Sequence, residues 1–407
     1  MASPSVLASA AGAAPAVVLA TALAAACAAV LTRFLVSAGH RAGALDSAGA
    51  AGHAKDLRRV PNVGGIAIVA TVALPLVAIL LVDRLMGAEE LARRLAESAR
   101  LDALVPSAMR LPDTAGQALW ILLGTVALHA LGLIDDRRAL GPWPKLLAQV
   151  AVATGAVTLA DVRVLTLLDA PAGGAWLSIA LSVAFIVAMT NALNFLDNMD
   201  GLSGGVAAIA AASLAVAATI ASQWATAGLL AVLAGALLGF LVFNFPWRAG
   251  TSARVFMGDG GSLPVGFLLA VLAMQITFTS PEDLEYALGT RWYGVLSPLV
   301  ILAVPLYDAF TVSVLRLVQG KSPMVGDQQH FSHRLVMRGL SRRGAVLLIC
   351  ALAATCGVSG LLLGTAAPWQ AVLIGVQVAV VLGTIAALER PQLRAMRDGA
   401  ARDEGAR

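Results

Sequence analysis

The residues best able to do chemistry lie in five short polar stretches set between long apolar runs. The densest is 190–205, TNALNFLDNMDGLSGG, which holds Asn191, Asn194, Asp197, Asn198 and Asp200. Carboxylates at a membrane boundary are costly to leave unpaired, so their default reading is functional. Asn191 and Asn194 are three apart and share one face of a helical turn, and Asp200-Gly201 marks a break after it. A second stretch, 133–138 (LIDDRR), sets Asp135 beside Asp136. Adjacent carboxylates repel unless a cation or proton relieves them. Mg²⁺ suits that task, since it is held by one or two carboxylates together with waters and phosphate oxygens. Lys145 and Gln149, a turn apart on the following helix, can face the same cavity, although a lone Lys145 is more often an interfacial anchor. In 255–262 (VFMGDGGS) the single carboxylate Asp259 stands in a glycine-rich turn that opens an apolar helix. Backbone N–H groups at such a helix start favour phosphate, and Asp259 can hold a metal that bridges to it. Asn244, Arg248 and Arg254 precede it on the same loop. Residues 320–334 carry Gly320-Lys321-Ser322-Pro323, Asp327, His330, His333 and Arg334. Histidines at i, i+3 bind metal, move protons or donate to phosphate. Zinc is disfavoured, because no cysteine or close third ligand accompanies them. The last stretch, 58–65 (RRVPNVGG), offers Arg58 and Arg59 to phosphate, and Gly64 and Gly65 to close backbone approach.

Each stretch also has a plainer reading. Taken alone, 58–65 is better read as a basic anchor before a helix. Asp135 and Asp136 alone fit either a metal site or a solvated helix end paired with Arg137 and Arg138. Asp259 or Ser262 can be an ordinary helix N-cap. For 190–205 the functional reading is preferred, because an idle loop needs no two acids and three amides. The same holds for His330 and His333. The other histidines, His40, His53 and His129, read as incidental, and Asp308 inside an apolar run either lines the cavity or pairs with a neighbour.

These residues must be positioned by membrane helices. The chain has 407 residues, 59% hydrophobic and 13% charged, and its mean hydropathy is +0.83. That composition excludes a soluble globular protein. Apolar runs fall at 15–37, 64–83, 116–134, 144–160, 176–196, 202–221, 225–243, 262–279, 294–317, 345–365 and 369–388. A membrane-spanning helix needs about 20 such residues. The expectation is an all-α polytopic membrane protein of about eleven transmembrane helices. It forms a single integral-membrane domain over residues 1–407, with a basic tail at 389–407. Residues 88–100 read as an amphipathic interfacial segment. The first apolar run is long and lacks a basic leader, so it reads as a retained helix. Cys27, Cys350 and Cys356 match no metal spacing and read as small buried hydrophobes.

Basic residues favour the cytoplasmic side. Of the 28 Lys and Arg, 21 fall in 33–62, 135–145, 244–261, 316–344 and 389–407. Those connections are therefore cytoplasmic, with the N-terminus outside and the C-terminus inside. All five polar stretches fall on the cytoplasmic face, which the charge count did not impose.

Together these stretches resemble the polyprenyl-phosphate N-acetylhexosamine-1-phosphate transferases, the group that includes the MurNAc-pentapeptide and GlcNAc-1-phosphate translocases. The resemblance is carried by Val60-Pro61 with Gly64-Gly65, Asp135-Asp136, Asn191-x-x-Asn194-x-x-Asp197-x-x-Asp200-Gly201, Phe256-Met257-Gly258-Asp259-x-Gly261-Ser262, and Gly320-Lys321-Ser322-Pro323 with His330-x-x-His333. They occur in the family's order from residue 58 to 334. The Pro246-Trp247-Arg248 insertion and the Gly320-Lys321-Ser322-Pro323 run look more like the GlcNAc-1-phosphate branch. Asn198 departs from the glycine usual there.

The resemblance implies attack by the phosphate of a polyprenyl phosphate, undecaprenyl phosphate by expectation, on the β-phosphorus of a UDP-sugar. UMP leaves, and a lipid-linked sugar diphosphate forms. It implies Mg²⁺ as cofactor, with Mn²⁺ as a substitute, and Asp259, Asp135, Asp136 and Asp200 as the metal set. Asp135, Asp136, Asp259 and His330 are the implied catalytic residues. Asn191, Asn194, Asp197, Asp200, Asn244, Lys145, Arg254, His333, Arg334 and Gly65 are the implied substrate-binding residues. The expected donor is UDP-GlcNAc, with another N-acetylhexosamine or MurNAc-pentapeptide as alternatives. The expected setting is the first membrane step of a cell-envelope polysaccharide, in a multi-pass protein of the bacterial inner (plasma) membrane. Its partners are the two substrates and the bilayer; no nucleic acid is expected, and a homodimer is compatible with the chain. Two competing readings fit less well. An ion-coupled transporter predicts acids deep within spans and an inverted repeat. An alcohol phosphotransferase predicts an Asp-Gly-x-x-Ala-Arg run, which is absent.

Overall fold

A computed structural model describes residues 4–42, 60–97, 105–109, 111–248, 250–277, 292–320, 322, 330–364 and 366–404. Among the sequence candidates, His53, Arg58, Arg59, Lys321, Pro323 and Asp327 lie outside them. Every regular element of the described residues is helical: α1 (Pro4–Ala42), α2 (Gly64–Met86), α3 (Ala88–Ala96), α4 (Val105–Met109), α5 (Leu111–Arg137), α6 (Pro142–Leu159), α7 (Trp176–Leu196), α8 (Leu202–Ile220), α9 (Trp224–Asn244), α10 (Asp259–Thr277), α11 (Ser297–Ile301), α12 (Ala303–Val318), α13 (Phe331–Met337), α14 (Arg342–Leu363) and α15 (Pro368–Glu404). Helices are the expected answer to an apolar solvent, because each satisfies its own backbone hydrogen bonds.

Each of the eleven apolar runs coincides with helix. Among the described residues, nine helices are long and apolar enough to cross a membrane, or ten if a bent pair counts as one span. The chain is thus an all-helical, multi-pass membrane protein. The bent pair joins 294–301 to 303–318 at 68°. Pro305 explains the bend: it has no N–H to give the Ile301 carbonyl one turn back. The 142–159 run forms a helix but falls outside the nine. Within the amphipathic segment at 88–100, Ala88–Ala96 form α3, where Glu90 pairs with Arg93 and Arg94. The basic tail continues α15 as helix as far as Glu404.

α10 is the centre of the bundle, packed between α5 and α7 with α2 and α8 also against it. Its 18-residue apolar window is 89% buried, compared with 11% for the first span and 6% for the last. Small residues let these helices approach closely, as lipid-embedded packing favours. Gly235 and Gly239 of α9, for example, meet the backbone of α1 at Thr21 and Ala25. The shared core includes Leu128, Ile186, Leu193, Phe240, Phe267 and Leu269.

Candidate active site

Four helix ends meet at one polar junction: the last turn of α5, the first turn of α6, the last turn of α7 and the start of α10. Lys145 joins them. Its Nζ donates to Asp135 Oδ2 at 2.9 Å and also to Asp259 Oδ2. Two carboxylates distant in sequence therefore meet on one ammonium, with all three side chains only 16–24% exposed. Sheltering strengthens that attraction relative to open water. The other oxygen of Asp259 accepts from Asn194 Nδ2 at 2.8 Å, and the same nitrogen lies 3.0 Å from Ser262 Oγ. Asp259 is thus fixed by a charged donor on one side and a neutral amide on the other.

Asp136 has a different task. Its two oxygens accept from the N–H groups of Asp259 and Gly260, each at 3.1 Å. These are the first amides of α10, which have no partner within their own helix, and an anion there also complements the helix dipole. Gly132 allows the approach, since a Cβ at that position would lie 2.3 Å from the Asp259 carbonyl carbon. Gly258, immediately before α10, turns the chain with φ +67°, a conformation that suits glycine. His129 lies 2.5 Å through Nδ1 from the Gly260 carbonyl oxygen, so the ring donates there. One face of α5 thereby holds the Gly260 peptide at both ends. Sequence reasoning passed over His129 as incidental; its spacing from Gly132 and Asp136, i, i+3 and i+7 on one helical face, was the available signal.

Two expected substrate contacts belong instead to the frame of the site. Gly64 and Gly65 donate their N–H groups to the carbonyls of Phe256 and Met257, at 2.9 and 3.1 Å. A Cβ on Gly65 would lie 2.4 Å from the Gly261 nitrogen, so this glycine admits protein backbone rather than a ligand. Asn244 is 5% exposed. Its Oδ1 accepts from Gly201 N and its Nδ2 donates to Val255 O, both at 2.8 Å. It ties the turn before α8 to the loop before α10.

The four acids expected to hold the metal are all engaged by protein donors. Among the described residues, no three His, Cys, Asp or Glu side chains gather as a metal cluster. Asp136 is engaged with the two amides at the α10 start, and Asp200 Oδ2 accepts from Ala253 N at 3.0 Å. Asp135 accepts from Leu140 N at 2.8 Å through Oδ1 as well as from Lys145, and Asp259 accepts from Lys145 and Asn194. These two already converge on one cationic atom, and two carboxylates plus substrate phosphate are the donors Mg²⁺ accepts.

The remaining residues divide between this junction and a second pole. Asn191 pairs with buried Gln149: its Nδ2 donates to Gln149 Oε1 at 2.5 Å and to Val187 O at 2.9 Å, which joins α7 to α6. Asp197 follows the last turn of α7, half-buried. Arg254 is exposed, with its guanidinium stacked 4.8 Å from the Phe243 ring centroid and Nη2 donating to Val242 O at 3.3 Å. The second pole is the start of α13. His330 and Phe331 are held by Asp308 of α12, and Ser332 Oγ donates to Asn198 Oδ1 at 2.5 Å. Asn198 is itself anchored, through Nδ2, to Phe195 O at 2.7 Å. Phe195 and His330 lie ring to ring at 5.9 Å, and the Arg316 guanidinium sits 5.3 Å from the Phe195 ring centroid. Arg334 is buried beside them in α13. The end of α7 therefore joins the poles: Asn194 reaches Asp259, and the next residue reaches His330. His333 is half-buried, and burial lowers its pKa below the usual histidine range, with His330 and Arg342 pushing the same way.

Residues 118–277 match the family model described as Glycosyl transferase family 4. That stretch runs from α5 to α10 and includes Asp135, Lys145, Asn194 and Asp259. Among curated relatives, a Bacillus subtilis protein named as a probable undecaprenyl-phosphate N-acetylglucosaminyl 1-phosphate transferase is 30% identical over 258 residues. The alignment covers 62% of this chain and 68% of that protein. A decaprenyl-phosphate N-acetylglucosaminephosphotransferase of Mycolicibacterium smegmatis is 34% identical over 54% of this chain and 57% of its own length. An Escherichia coli K12 undecaprenyl-phosphate alpha-N-acetylglucosaminyl 1-phosphate transferase is 26% identical over 57% of this chain and 62% of its own length. A junction assembled almost wholly within the matched region, and a relative similar along two thirds of its length, lead to one conclusion: the chain belongs to glycosyl transferase family 4.

Proposed function

We propose that this protein transfers GlcNAc-1-phosphate from UDP-GlcNAc to undecaprenyl phosphate at the cytoplasmic face of a bacterial inner membrane. An oxygen of the lipid phosphate attacks the β-phosphorus of the nucleotide sugar. The bond from that phosphorus to the oxygen bridging the two phosphates breaks, and the electron pair leaves with UMP. The product is the lipid-linked sugar diphosphate. The observation that carries this reading is the convergence of Asp135 and Asp259 on Lys145 where membrane helices end. Both substrates are anionic, and one has a tail that stays in lipid. A transferase for them needs fixed charge at that boundary more than covalent protein chemistry.

Asp135 and Asp259 are the residues that would hold Mg²⁺, which when bound neutralises charge on the phosphates. Lys145 offers an ammonium to the same oxygens. Asp136 and His129 act one step back by holding the turn that presents Asp259. Asn191, Asn194 and Asp197 face the nucleotide, and His330, His333 and Arg334 face the diphosphate. General-base work is slight, since a phosphate with a second pKa of about 6 is already mostly ionised at neutral pH.

Purified protein given undecaprenyl phosphate, Mg²⁺ and a panel of UDP-sugars should release UMP, fastest with UDP-GlcNAc. Release with a different UDP-sugar alone would replace the donor. No release with any of them, in protein that reconstitutes intact, would overturn the reaction class.

A further inference from the structure

Asp308 lies in α12, just after the bend in an apolar helix pair, and is 1% exposed. An acid there is costly unless its oxygens are occupied. Both are. Oδ1 accepts from the Phe331 N–H at 2.8 Å, and Oδ2 lies 2.9 Å from His330 Nδ1. Toward a carboxylate oxygen the complementary ring atom is a protonated Nδ1, because a carboxylate accepts and does not donate. The backbone bond fixes the start of α13, and the side-chain bond fixes the ring upon it. Neighbouring contacts close the other approaches: Phe195 lies against the ring, and Asn198 secures Ser332. His330 is itself 5% exposed.

We propose that Asp308 is a positioning residue that sets the orientation and tautomer of His330, so that Nε2 is presented with its lone pair free, as a hydrogen-bond acceptor for a hydroxyl of the substrate (a sugar O–H or a protonated phosphate). This rests on the reaction proposed above. It assigns to a buried acid, far from the Asp135–Asp259 junction in sequence, control over the histidine side of the same site. Asp308→Asn keeps the volume but replaces the accepting oxygen or offers an amide N–H to Nδ1, which moves the ring proton to Nε2. A histidine locked in the wrong tautomer loses most of its catalytic value even where the fold is intact.

The test uses full-length protein in detergent or nanodiscs and two readouts. The first is ¹⁵N NMR of histidine-labelled protein at alkaline pH, with His330→Gln identifying the resonance among five histidines. Wild type should show His330 protonated at Nδ1; protonation at Nε2 overturns the proposal without any variant of Asp308. The second is UMP release by wild type, Asp308→Asn, His330→Gln and the double variant. Asp308→Asn should lower kcat at least about tenfold with a smaller change in KM. In the His330→Gln background it should add little, because its effect passes through that ring. Full additivity, or wild-type turnover by Asp308→Asn, overturns the proposal. Should Asp308→Asn fail to fold, the wild-type tautomer decides. Inactive wild type with an Nδ1-protonated His330 would remove the reaction while leaving the positioning intact.

Discussion

Lys145 is the residue at which charge balance and geometry are the same question. Lys145→Met leaves Asp135 and Asp259 facing each other without their shared ammonium. We expect a loss of about 1–3 kcal/mol in stability, since removing one partner of a sheltered ion pair strands the other. Added Mg²⁺ should raise the melting temperature of this variant if the two carboxylates accept the ion, and a flat response up to millimolar Mg²⁺ would remove them from that role. Asp259→Asn should abolish transfer with expression intact; near-wild-type turnover would take Asp259 out of the chemistry. His333 gives a test by pH. Burial depresses its pKa, so below about 6.5 the unfolded chain takes up a proton that the folded protein resists. Stability is therefore full above that value and declines as pH falls through it, by at most about 1.4 kcal/mol per unit. Melting curves of His333→Gln should decline less over the same range. At this scale the sequence was informative about residue type but not about partner. Asp135 and Asp136 are indistinguishable as adjacent letters. Only the packing of α5 on α10 turns one toward Lys145 and the other onto the Asp259 and Gly260 amides. Asn244 and Gly65 were visible as unusual residues, yet bracing and binding use the same amide and the same missing side chain.

Among the elements, α5 sets the register of the site, because Gly132 lets it touch the start of α10. Gly132→Ala would place a methyl 2.3 Å from the Asp259 carbonyl carbon. The two helices must part, at a cost of about 1–3 kcal/mol, and Asp136 must lose hold of the α10 amides. UMP release should fall with stability. Gly155→Ala in α6 is the matched control: nothing lies within 4 Å of its added methyl, and alanine is the better helix former by up to about 1 kcal/mol. Equal damage from both would mean that helix spacing does not set the site. Element boundaries were largely legible, because apolar runs in a membrane protein are long and uniform. The bend at 302 was not, because 294–317 reads as one run and Pro305 as one residue within it. That bend directs α12 so that Asp308 faces α13.

For the whole molecule, the distribution of basic residues predicts an orientation that can be measured. A C-terminal fluorescent fusion should mature and glow in intact cells, while an N-terminal cysteine tag should react with impermeant maleimide from outside. The reverse pattern would place the Asp135–Asp259 junction away from cytoplasmic nucleotide and overturn the proposed reaction. The arrangement of spans also bears on how freely each can vary. The first and last spans are 11% and 6% buried within the chain, and α10 is 89% buried. Greasiness alone suffices at the rim, so one aliphatic residue there can stand in for another. At the axis, shape is the constraint. In a saturation library, the exposed positions of 14–41 and 368–386 should tolerate most apolar exchanges, while 259–276, and the α1 residues that meet Gly235 and Gly239, should reject even the addition of a single carbon.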